Sequence, residues 1–384
     1  MRNKPGSPVE GSDFFGRKRE IERALDILKN GNSIILAAPR RVGKSSFSKK
    51  LLEKVKEKGW KTLYLDLEMV KTEEAFVKLF IEKLQEEDWW ETGKARLGEL
   101  FEKLKLRVGY GDASVSIEWK TQRDDIFREL RNVLEHDKDM LIVVDELAVF
   151  LTYLIKEEGN NENARYFLDW LRGQRQVTGT RVRWIFCSSI GIRNFTNMNN
   201  LSYTLNDVET FPLDEFSRDE AELLIKALAA SEKITTFGEE LIDFMLEKLE
   251  WNLPYFIQVI FSRILRLHVV SGQAISKEII DNAYTELIEG DELNTWDERL
   301  GEYAEMEPYA RLVLKRLCQN KQGESRETLF NAIYQKINDE EKTDDIVAKI
   351  IKMLMRDGYI IVKERSYLFR SPLLRDYWYN RFVR

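Results

Sequence analysis

Histidine and cysteine are almost missing from this 384-residue chain, with two of each. His136 and His268 leave histidine-based metal or triad chemistry almost no material. Cys187 and Cys318 lie far apart in apolar contexts, which argues against a disulfide framework or a cysteine metal site and fits a reducing cytoplasm. No apolar run approaches the length of a membrane span. The opening Met1-Arg2-Asn3-Lys4-Pro5-Gly6 lacks the apolar core of a signal peptide. Only seven prolines and 20 glycines interrupt the chain, and 43% hydrophobic with 33% charged residues describes a helix-rich globular protein. The net charge of −6 argues against indiscriminate nucleic-acid binding. That charge is uneven: from Pro308 onward 16 Lys/Arg face 10 Asp/Glu, so this block is basic and the remainder acidic. At this length two or three domains are expected.

What is present centres on Leu36-Ala37-Ala38-Pro39-Arg40-Arg41-Val42-Gly43-Lys44-Ser45-Ser46. The apolar run Ser33-Ile34-Ile35-Leu36 precedes it and a helix pattern, Ser45–Glu57, follows, the strand–loop–helix setting of a phosphate-binding loop. There, backbone N–H groups and the positive helix end converge on a phosphate. Lys44 reaches the β- and γ-phosphates and the Ser45 hydroxyl takes one position on Mg²⁺. Ala38 stands where such loops usually begin with Gly, which is tolerable unless that residue must be left-handed.

Along the chain, residues 1–13 read as a loose tail. Phe14 and Phe15 before the helical Ile21–Lys29 are either a hydrophobic staple or an adenine-facing segment. Thr62–Leu67 is a buried strand and Thr72–Trp90 helical. Alternation of Val108, Tyr110, Val115 and Ile117 around two glycines predicts an inserted β-hairpin at about 106–119. It either touches a partner or pads an edge. After the helix Gln122–His136, the all-apolar Met140-Leu141-Ile142-Val143-Val144 ends in Asp145-Glu146. Such a strand belongs in the middle of a parallel sheet, and its C-terminal carboxylates sit where ligands bind. Asp145 would hold Mg²⁺ through water and Glu146 would orient or deprotonate the attacking water. Val182–Ser189 is a further buried strand. Ser188 at its tip either bonds the γ-phosphate or attacking water, or caps a helix. Val208–Leu213 supplies the last strand. Ser217 opens a helical stretch with a capping box, and 217–289 reads as a small helical domain. The acidic 290–307 is a linker. Residues 308–384 give three helices and a hairpin, a winged-helix layout whose third helix carries Lys349, Lys352 and Arg356 beside Asp344, Asp345 and Asp357. It contacts either DNA or protein.

Together Phe15-Gly16-Arg17, Pro39 to Ser45, Val143 to Glu146, Ser188-Ser189-Ile190-Gly191-Ile192 and Asn252-Leu253-Pro254-Tyr255 resemble the archaeal-type ATPase family. That family is close to the STAND branch of the AAA+ class and more distantly similar to origin-recognition ATPases. The resemblance implies an αβα parallel-sheet nucleotide domain (14–216), a helical lid (217–289) and a winged helix (308–384), with ATP and Mg²⁺ as cofactors. By it, Phe15, Gly16 and Arg17 lie near the adenine, Pro254 of the lid approaches the base, and Ser188 is the sensor. Asn252 stands where the lid motif often has Gly and tolerates a left-handed backbone. An arginine acting in trans would be Arg193, Arg172 or Arg175, each equally readable as a surface ion pair.

Lys44, Asp145 and Glu146 make ATP hydrolysis the best-supported chemistry. The expected role is a slow, partner-stimulated ATPase acting as a conformational or assembly switch that recruits a protein effector or self-associates. The alternatives are a DNA-binding ATPase using the winged helix and a nucleotide-binding scaffold with negligible hydrolysis.

Overall fold

The long apolar runs become the strands of one parallel sheet in the computed structural model, which describes residues 1–87, 112–134, 138–188 and 191–384. The strands are β1 (Ile34–Ala37), β2 (Lys61–Asp66), β3 (Met140–Asp145), β4 (Val182–Phe186) and β5 (Glu209–Pro212), in the order β2-β3-β4-β1-β5. Every pairing is parallel, so all five C-terminal ends lie on one edge. β3 is buried along its whole length, as its unbroken hydrophobicity requires for a strand covered on both faces.

Arg17–Ala37 and Lys44–Leu213 form one unit. Beside the sheet lie the helices Lys18–Lys29, Lys44–Lys56, Glu73–Gln85, Asp112–Leu134, Leu147–Glu158 and Glu162–Arg175. Phe76 is fully buried and meets Phe80, Phe150, Phe167 and Trp170 at ring-centroid distances of 4.7–6.0 Å.

The expected hairpin is corrected here. Residues 104–111 lie outside the described set, but Asp112–Leu134 is a single helix. The Val115/Ile117 alternation is overridden by helical spacing downstream, where Ile126, Phe127, Leu130 and Leu134 are buried. Trp119 and Arg123, one turn apart, both bond the buried Glu73 carboxylate, and Arg123 also stacks 3.5 Å from the Tyr166 ring centroid. Trp89, Trp90, His136, Ser189 and Ile190 lie outside the described residues.

The second unit comprises Met1–Gly16, Ala38–Gly43 and Asp214–Arg384. Its helices include Arg218–Ser231, Glu239–Leu249, Pro254–Ser271 and Lys277–Glu289, and the first carries the expected capping box between Ser217 and Glu220. The N-terminal tail is held rather than loose: Asn3 donates to Gln258 O at 3.0 Å and Ser262 Oγ at 2.8 Å, and Arg2 N–H donates to Asp13.

Residues 290–307 do not run as an open connector either. Leu293, Trp296, Leu300 and Tyr303, spaced three, four and three apart, are buried along one stripe through the helices Asn294–Glu298 and Arg299–Met306. The acids that looked like linker occupy the other faces. Trp296 meets Trp251, Phe256 and Tyr359.

Three helices follow, Glu307–Leu317, Arg326–Ile337 and Glu340–Arg356, then the antiparallel pair β6 (Ile360–Lys363) and β7 (Ser366–Phe369) and the helix Pro372–Phe382. Glu364 and Arg365, both at positive φ, make the two-residue turn between these strands. Among the described residues, no helix is long and apolar enough to cross a membrane.

Replacing Phe76 with Ala leaves a ring-sized cavity. We expect a loss of about 3–5 kcal/mol of unfolding free energy, read from urea melts of the wild type and Phe76→Ala followed by tryptophan fluorescence.

Candidate functional site: the C-terminal edge of the parallel sheet

A parallel sheet gathers the ends of its strands, and here that edge collects the residues with chemistry. Lys44 and Ser45 begin the helix Lys44–Lys56. Asp145 is the last residue of β3, and Ser188 lies two residues beyond β4. Because β4 runs between β3 and β1, Ser188 emerges between the acids and the strand that feeds the loop.

The Ser45 hydroxyl donates to Asp145 Oδ2 at 2.7 Å. The Tyr64 hydroxyl donates to the same oxygen at 2.6 Å, and the Glu146 backbone N–H donates to Asp145 Oδ1 at 3.0 Å. Glu146 is left-handed, with φ 55°, and stands immediately before the helix Leu147–Glu158. This sharp turn leaves its carboxylate beside Ser188, whose Oγ lies 3.3 Å from Glu146 Oε2 and also accepts from Ala148 N–H at 3.3 Å. Ser188 therefore caps the helix, as one of its two sequence readings expects, and touches Glu146 at once.

Beneath them Ser48 Oγ lies 3.2 Å from Cys187 Sγ and donates to Lys44 O. Burial, then the nearby Asp145 charge, pushes the Cys187 thiol well above its ordinary value. The Tyr64 hydroxyl is likewise raised, by burial first and by Asp145 second, so it stays protonated and remains a donor.

In the intervening loop the left-handed residues are Arg41 (φ 66°) and Gly43 (φ 97°). Ala38 is not left-handed, so the missing glycine costs the backbone nothing there. A Cβ at Gly43 would meet no atom within 4 Å, so what the position asks of glycine is its positive φ. Within the second unit, Arg40 donates to Thr295 O at 3.4 Å. Arg41 donates to Gly6 O at 3.3 Å and stands 4.6 Å over the Tyr255 ring. Val42 is buried and Pro39 half-buried, while Ser46 sits in the first turn of the helix that Lys44 opens.

This geometry agrees with what the chain resembles. Residues 8–369 match the model of the family "novel STAND NTPase 1". The chain belongs to that family. Its fold is similar to that of the Walker-type ATPase PABY2304 of Pyrococcus abyssi, with a TM-score of 0.67 at 15% identity over 98% of each chain. It is also similar to the ORC2 protein of Aeropyrum pernix, with a TM-score of 0.57 at 12% identity over 96% of each. No curated protein matches the chain in sequence.

Phe15 packs edge-on against Phe216 with centroids 6.2 Å apart, and Gly16, at φ 70°, has the same ring 3.3 Å from where a Cβ would be. Arg17 is left-handed, buried and paired with Glu20 at 3.0 Å. Pro254 is the first residue of its helix. The left-handed residue before it is Glu250, at φ 51°, and not Asn252, because the preceding helix already ends there.

The structure does not bring Arg193 to the acids: its guanidinium bonds Thr210 Oγ1, Leu205 O and Val208 O. Arg175 bonds Asp207 and Thr204 O, and Arg172 stands over the Tyr203 ring. Tyr64 and the Ser48–Cys187 contact were missed by sequence reasoning. No sequence signal pointed to Tyr64: its place opposite Val143, on the face that Asp145 shares, comes from the strand register.

Among the described residues no cluster of three or more His, Cys, Asp or Glu could cage a metal. One hydroxyl joined to one carboxylate instead fits Mg²⁺, which is held largely by substrate phosphates and water.

Cys187 and Cys318 are both buried, and burial pushes the Cys318 thiol up to about 11. The native protein at pH 8 should therefore leave both thiols unmodified by a disulfide reagent such as DTNB, with both reacting once it is unfolded in guanidinium. Prompt labelling of the native form would show that the floor of this edge is open.

Proposed function

We propose that the protein binds ATP with Mg²⁺ and hydrolyses it slowly, as a nucleotide-driven switch. The observation that carries this is the 2.7 Å bond from Ser45, at the start of a helix after a phosphate-type loop, to Asp145 at the end of a fully buried strand. In phosphoryl transfer the protein mainly positions groups and stabilises charge. Lys44 and the backbone N–H groups of the loop hold the phosphates. Ser45 and Asp145 would hold Mg²⁺, which when bound neutralises charge on the transferring phosphate. Glu146, placed by its left-handed backbone and by Ser188, accepts the proton of the attacking water. Ser188 is the sensor, because it touches that carboxylate and the helix behind it together. Phe15, Gly16, Arg17 and Pro254 bind the base. The similarly folded ORC2 protein of Aeropyrum pernix forms complexes with ADPNP and ADP, which supports the choice of ATP.

In this reading the helices over 217–289 are a lid and the helices with β6 and β7 a winged helix, whose rearrangement with nucleotide state recruits a protein effector or a second copy of the chain. A cytoplasmic setting fits two buried free cysteines. A DNA-working ATPase is the second reading, favoured by exposed Lys349 and Lys352 on the helix Glu340–Arg356 and exposed Lys363 and Arg365 on the hairpin.

ATP turnover by the purified protein decides between them. Lys44→Ala should remove nucleotide binding, and Glu146→Gln should retain binding while lowering turnover by about 10²-fold or more. Turnover indifferent to duplex DNA, with Glu146→Gln trapping ATP in a changed oligomer, is the expected result. Stimulation by DNA that both substitutions abolish would establish the second reading, and a protein that neither binds nor hydrolyses ATP would overturn both.

A further inference from the structure

We infer that Tyr64 is a positioning residue for the metal: its hydroxyl fixes the Asp145 carboxylate so that Ser45 and Asp145 act together on Mg²⁺. This rests on the reading of the site as one for ATP with Mg²⁺. The inference follows from strand register and hydrogen bonding. β2 and β3 pair with Tyr64 opposite Val143 and Asp66 opposite Asp145. Side chains alternate along a strand, so Tyr64, Val143 and Asp145 share one face. Tyr64 starts one pleat repeat below Asp145, and a phenol is long enough to reach up to its carboxylate. A shorter hydroxyl side chain at this position would fall short.

The partition of the carboxylate is the second observation. Oδ2 takes both hydroxyl donors, Ser45 at 2.7 Å and Tyr64 at 2.6 Å, and Oδ1 takes the Glu146 N–H at 3.0 Å. With up to two acceptor directions per oxygen, the remaining capacity lies on Oδ1. The Tyr64 bond thus leaves Oδ1 the freer oxygen and restrains the carboxylate from rotating about its axis. The ring is fixed as well, since Lys49 Nζ lies 5.3 Å from its centroid. Partners of this kind, one shell behind a metal ligand, commonly govern affinity by 10–100-fold.

The test measures affinity for a fluorescent ATP analogue, mant-ATP, in Mg²⁺ and in EDTA, for the wild type, Tyr64→Phe, Asp145→Asn and the double variant. Phe keeps the ring and loses only the donor. The Kd of Tyr64→Phe in Mg²⁺ should rise about tenfold. Its Kd in EDTA should stay close to that of the wild type, its melting temperature should fall only by what one lost donor to a buried carboxylate costs, and adding Tyr64→Phe to Asp145→Asn should change Kd no further. Equal shifts with and without Mg²⁺, an unchanged Kd in Mg²⁺, an additive double variant, or a Tyr64→Phe protein that does not fold would each overturn the inference, because the hydroxyl would then be structural or idle. A wild type that binds mant-ATP no better in Mg²⁺ than in EDTA would instead overturn the metal reading beneath it.

Discussion

A carboxylate at the end of a buried strand must be compensated, and Asp145 is where this structure meets that demand. Only 5% of the residue is exposed, and an isolated buried charge costs far more than a domain's net stability. Three donors surround it, drawn from three places in the sequence: Ser45 from the helix after β1, Tyr64 from β2, and the Glu146 backbone from the turn after β3. Parallel strands cannot be joined by tight hairpins, so nothing local aligns their ends. The backbone ladder between β2 and β3 sets that alignment, and it brings Tyr64 within reach of the acceptor that Ser45 also uses.

This explains the pattern of what the sequence disclosed. The run Met140 to Glu146 was readable because a strand covered on both faces has no freedom to be polar, and the loop before Lys44 because its function dictates its spacing. Those signals are local. Tyr64 was not readable, since a tyrosine within Thr62–Leu67 packs equally well without a partner and its role depends on a register 81 residues away. The stripe Leu293, Trp296, Leu300 and Tyr303 was present in the sequence but masked by intervening acids, which weigh on composition and not on periodicity. The hairpin reading failed in the opposite direction. Alternation over four residues suggests a strand, but Asp112–Leu134 is a helix whose residues Trp119 and Arg123, one turn apart, both meet Glu73.

The arginines carry the argument to its last step. Arg172, Arg175 and Arg193 all lie in the unit that holds Asp145 and Glu146, and each is engaged there by a ring, a carboxylate or backbone carbonyls. The Arg175 and Arg193 guanidinium groups are each held by several acceptors, exposed or part-buried, that fix where they point. Nucleotide hydrolysis lacking an arginine at the γ-phosphate is slower by 10³–10⁵-fold. Under the proposed function, then, these three arginines give the isolated chain no such help in the arrangement seen here. A switch needs just that property, because a nucleotide state persists only if the protein cannot finish the reaction unaided. A second protein or a second copy that supplies the cation would then set the lifetime of the ATP state, and the tight internal use of Arg193 would be what keeps that control outside the chain.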